Sequence, residues 1–138
     1  MTLLDAYALI AFMVGGPAAP QVRAIMREGN VAVSSANLAE TLDVSQRVYD
    51  LPIGRAMEIL EPLLEAALAL LELDLAVARR AAEVRAEHYH RSNCPLSLAD
   101  AVMIASAGPG DGIATADPHV LAVAAKEGLE PLELPPQG

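Results

Sequence analysis

A chain of 138 residues has the length of one domain, and at 54% hydrophobic it can build a sizeable core. Aromatics are only 3%, so that core must be Leu, Ala, Val and Ile, which excludes most recognition that depends on stacked aromatic side chains. A net charge of −9 excludes a broad basic surface for gripping nucleic acid, and leaves an acidic domain in which some carboxylates can share a pocket and hold a cation.

The single cysteine, Cys94, excludes an intramolecular disulfide and suits a reducing compartment, which makes the cytoplasm the expected location. The apolar N-terminus lacks a basic flank and carries Asp5, so no signal peptide is expected. No apolar run approaches the ~18 residues that span a bilayer, and no membrane partner is expected.

In chain order, "TLL" (2–4) reads as a short strand running into Asp5, and "AYALIAFMV" (6–14) as a helix broken by "GGPAAP". "QVRAIMREG" (21–29) is a second helix stopped at Gly29. "VAVSS" (31–35) is a buried strand, and residues 37–50 have helical spacing at Leu38, Leu42, Val44 and Val48. Residues 53–67 form another helix, with Pro62 a candidate kink. "LALLELD" (68–74) reads as a strand, residues 75–91 as a long helix, and "SNCP" as a loop. A helix over 97–107, a turn at "GPGDG", a strand at 113–115, a helix over 118–128 and a last strand at 129–134 complete the chain. This alternation predicts a three-layer α/β/α fold with a central, mostly parallel, short-stranded sheet. Residues 1–134 form the single expected domain and 135–138 a tail.

In such sheets ligands bind beyond the carboxyl ends of the strands. Asp5 ends the first strand, and Asp117 follows the strand "IAT". Glu40 and Asp100 each lie one turn into a helix. If those helices start at one rim, four acids converge there with no basic neighbour in sequence. Their repulsion then either raises some pKa values or recruits a cation. Carboxylate oxygens suit Mg²⁺ or Mn²⁺. Capping is the competing explanation for each acid taken singly. Ser97 with Asp100, and Asn37 with Glu40, fit a capping-box pattern, and Asp5 and Asp117 (before Pro118) suit N-caps.

"LLDAYALIAF", "VSSANLAE", "PLSLADAVMIASA" and "IATAD", in this order and over nearly the whole chain, resemble the PIN-domain ribonucleases, and among them the VapC-type toxins of toxin–antitoxin pairs. The resemblance implies metal-dependent hydrolysis of RNA phosphodiester bonds. It assigns the catalytic and metal-binding acids to Asp5, Glu40, Asp100 and Asp117, with Asp5 and Asp100 the foremost metal ligands and Thr115 supporting the pocket by hydrogen bonding. It also implies a homodimer and a small antitoxin partner, bound in an apolar groove near the acids. A non-catalytic PIN-like RNA- or protein-binding module is the alternative. A phosphoacceptor receiver domain fits less well, because only Asp5 is available early and Lys126 lies within a helix.

His88 and His90 are two residues apart and do not share a helix face, and His119 is expected at the surface. Arg79, Arg80, Arg85 and Arg91 fit either i,i+4 pairs (Glu83 with Arg79, Glu87 with Arg91) or a phosphate-binding strip beside the acids. Cys94 lacks a histidine partner, and Ser34 and Ser35 lack a nucleophile-elbow pattern.

Overall fold

The computed structural model describes residues 1–138. Strands β1 (Thr2–Leu4), β2 (Val31–Ser34), β3 (Leu68–Leu71), β4 (Gly112–Thr115) and β5 (Glu130–Glu133) form one sheet in the order β3-β2-β1-β4-β5. Every neighbouring pair is parallel, so the sheet is wholly rather than mostly parallel. The helices are α1 (Ala6–Val14), α2 (Ala19–Glu28), α3 (Ser35–Tyr49), α4 (Ile53–Ala66), α5 (Leu75–His88), α6 (Leu98–Ser106) and α7 (Pro118–Lys126).

The strand period of two explains the layers. Leu3, Ala32 and Ile113 point to one face, where they pack with Val84, Met103 and Val123 of α5, α6 and α7. Leu4, Val33 and Ala114 point to the other, against Leu9, Val22 and Leu60 of α1, α2 and α4. With both faces covered, the central strands β1, β2 and β4 can be almost wholly apolar, as parallel sheets require.

Several boundaries differ from the sequence reading, each for a structural reason. The α3 helix starts at Ser35 because Ser34, in extended conformation, accepts from the Asn37 amide as its N-cap. Asn37 is therefore inside the helix and is not its cap. Because β2 ends at that cap, β3 runs out of partners at Leu71, which pairs with Ser34, and the strand stops there instead of at residue 74. Asp74 caps α5 by accepting from the Val77 amide. That helix ends at His88, short of residue 91, where the antiparallel bridge between His90 and Cys94 begins. The α2 helix begins at Ala19, with Pro20 tolerated in its first turn. Across Pro62, α4 is continuous. No single helix is long and apolar enough to cross a membrane.

Candidate active site

In a parallel sheet all carboxyl ends share one rim, and the chain leaves each strand there. Asp5 follows β1 with extended backbone, and its Oδ1 accepts from the Ala8 amide at 2.8 Å, capping α1. Asp117 follows β4 by two residues, and its Oδ1 accepts from the His119 amide at 2.8 Å, capping α7. The cap of α6 is Ser97, whose Oγ accepts from the Asp100 amide at 3.1 Å, setting the Asp100 side chain in the first turn. Glu40 is the sixth residue of α3, further into its helix than the sequence reading placed it. The buried Asn37 side chain, itself hydrogen-bonded by the Ser34 hydroxyl, donates to Glu40 Oε1 at 3.4 Å.

All four acids line one cavity of about 490 Å³, with Tyr7, Ile10, Val44 and Tyr49 on its remaining wall. Capping and cavity lining are compatible, because the cap engages only one oxygen of Asp5 and of Asp117. Thr115 is fully buried; its hydroxyl accepts from the Asp117 amide at 3.1 Å and hydrogen-bonds Asp5.

Burial dominates the electrostatics. It pushes the Asp5 carboxyl from 3.8 up to about 6, against the opposing hydrogen bonds from Thr115 and the Ala8 amide, with Glu40 and Asp117 adding repulsion. Asp100 is pushed from 3.8 up to about 7, again chiefly by burial, with repulsion from Asp5, Glu40 and Asp117 outweighed only in part by Ser97. No Lys, Arg or His lines the cavity. An all-carboxylate donor set with no internal counter-charge fits a hard divalent cation.

A tighter group lies at the opposite rim. Glu87, His88 and Glu127 are the only three such side chains whose ligand atoms fall within 4.8 Å of one another. Glu127 is already engaged: Arg80 donates to both its oxygens at 2.8 and 2.9 Å, and His88 Nε2 lies 3.2 Å away. The four cavity acids are spread more widely, which suits an ion that keeps several of its waters, as Mg²⁺ does.

Of the two readings of the arginines, ion pairing is the one seen for Arg79 and Arg80. Arg79 pairs with Glu83, Arg80 with Glu127, and Arg85 donates to the Leu96 carbonyl with its guanidinium over the Tyr89 ring; none lines the cavity. Glu87 lies near His88 and forms no ion pair with Arg91. Nor does His119 line the cavity; it contributes its backbone amide to Asp117. The residues that sequence reasoning missed are Tyr7 and Tyr49. Tyr7, two residues after Asp5, offered a weak positional signal, whereas Tyr49 offered none.

A doubly covered parallel sheet with four carboxylates in one cavity at its carboxyl rim defines a three-layer α/β domain with an acidic site. The PIN-domain family model matches residues 2–130, and the chain belongs to that family, whose members are generally metal-dependent nucleases. Among solved structures, FitAcB from Neisseria gonorrhoeae is similar at 20% identity and TM-score 0.65, covering 96% of this chain and 97% of that one. A toxin–antitoxin complex from Klebsiella pneumoniae is similar at 16% identity and TM-score 0.60, covering 85% and 87%. No curated protein matches the chain.

Proposed function

We propose that this protein is a metal-dependent endoribonuclease, using Mg²⁺ or Mn²⁺, and the VapC-type toxin of a toxin–antitoxin pair. The observation that carries the reading is the single cavity lined by Asp5, Glu40, Asp100 and Asp117 with no cation-bearing side chain among its walls. Asp5 and Asp100 are the principal ion ligands, and Glu40 and Asp117 hold the ion directly or through water. When bound, the cation polarises the phosphoryl oxygen and lowers the pKa of the attacking water.

The chain's own groups prepare that site. Asn37 orients Glu40, and Thr115 ties the Asp5 and Asp117 segments together. Asp5 is buried at the cavity wall, and the α1 cap aims its carboxyl. Because Asp5 and Asp100 hold protons up to about pH 6 and about pH 7, the ion must displace them, and its affinity rises with pH through that range.

We take residues 1–134 as one folding unit acting in the cytoplasm, as a homodimer held inactive by a small antitoxin. The likeness to the Klebsiella toxin–antitoxin complex supports the partner. Exposed Val48, Ile53 and Ile59 on α3 and α4 offer apolar surface for assembly.

The test is cleavage of single-stranded and structured RNAs by the purified full chain. Cutting is expected with Mg²⁺ or Mn²⁺, is lost with chelator, and falls at least ~100-fold in Asp100→Asn. Cutting that survives in Asp100→Asn, or its absence under every metal, would contradict the reading.

A further inference from the structure

The chain has four aromatic residues, three Tyr and one Phe, and two of them line the same cavity as the four carboxylates. Tyr7 sits on the first turn of α1, and its hydroxyl donates to the Pro135 carbonyl, which fixes the ring. Tyr49 is the last residue of α3, directly before the left-handed Asp50 (φ 54°), and is 39% exposed. Both rings border one space, with Ile10 and Val44 beside them.

A wall so placed has a chemical consequence. A phosphodiester engaged at the carboxylates brings its attached sugar and base into the same cavity, whose 490 Å³ lies within the ~300–1,000 Å³ typical of small-ligand sites. No Arg or Lys lines the cavity, so the contacts it offers beyond the cation are to the sugar and base. An aromatic face flanked by aliphatic side chains offers a base what it needs once it has left a helical stack. We propose that Tyr49, backed by Tyr7, is the stacking platform for the base next to the scissile phosphate. This rests on the nuclease reading and adds to it the residue that holds that base.

The test uses the full chain with short single-stranded RNAs carrying a fluorescent adenine analogue, in Ca²⁺ so that binding is read without turnover. The wild type is expected to quench the analogue. Tyr49→Ala is expected to weaken binding about tenfold and lose the quench, within the range a single stacked base supplies, while Tyr49→Phe restores both. Its place at an exposed helix end makes Tyr49→Ala compatible with folding, and an unchanged melting temperature checks this. Tyr49→Ala binding and quenching like wild type would overturn the platform, whatever the cleavage assay gives. If that variant kept its RNA affinity but failed to bind a co-expressed antitoxin, the wall would be a protein-docking surface and the platform would again be wrong. RNA cleavage by a wild type whose affinity is independent of Tyr49 sinks only this inference. A wild type that neither binds nor cuts RNA sinks the nuclease reading with it.

Discussion

At Asp5 the demands of the fold and of the site meet in one side chain. Its Oδ1 caps α1, yet its charge is buried beside two other acids. A carboxyl whose pKa is raised from 3.8 to about 6 binds protons more tightly folded than unfolded. Its stabilising contribution is therefore complete below about pH 4 and is lost as pH rises through about 6. Asp100 extends the loss to about pH 7. For Asp5 alone the penalty above that range is on the order of 3 kcal/mol. Asparagine keeps a capping oxygen and removes the charge. Asp5→Asn is thus expected to raise the melting temperature of metal-free protein at about pH 8 and leave it nearly unchanged at about pH 4, as read by calorimetry. A lower melting temperature at both pH values would mean that the fold depends on the charge. The four acids were legible in the sequence because strand ends and helix starts mark them. The competing cap explanation was legible too, and the two-oxygen geometry of a carboxylate reconciles them. Tyr49 was not legible: a composition of 3% aromatics averages over the chain and hides that half of the aromatics sit in one cavity.

Among the elements, the carboxyl rim is built for the site and the amino rim for cohesion. There Arg80 of α5 holds Glu127, just past α7, through paired short hydrogen bonds, with His88 alongside. Arg80 is 44% exposed, so screening limits its worth, and Arg80→Ala is expected to cost about 1 kcal/mol in urea unfolding with RNA cleavage unchanged. Loss of cleavage would instead return the arginine to the substrate path that sequence reading allowed it. Element types were legible from hydrophobic periodicity, and their ends less so. The end of β3 is set by pairing with Ser34 on another strand, a relation no local window contains. Ser35 reads as strand until the role of Ser34 as the α3 cap is known.

For the molecule as a whole, parallel topology does the gathering. Five strands run the same way, so residues 5, 40, 100 and 117, remote in sequence, reach one rim. That convergence was inferable once the β/α alternation was recognised, whereas the spacing of the oxygens was not, because side-chain caps set it. In the proposed nuclease reading, a protein of net charge −9 approaches RNA by letting this cavity take up a cation and reverse the local sign. The alternative metal position, Glu87 with His88 and Glu127, makes the claim sharply testable. The direct measurement is a titration of Mn²⁺ followed by electron paramagnetic resonance at about pH 8, where free ion gives signal and bound ion does not. We expect the wild type and Glu87→Gln to take up Mn²⁺ alike and the Asp5→Asn/Asp100→Asn double variant to take up almost none. Uptake that survives in the double variant and disappears in Glu87→Gln would contradict the account.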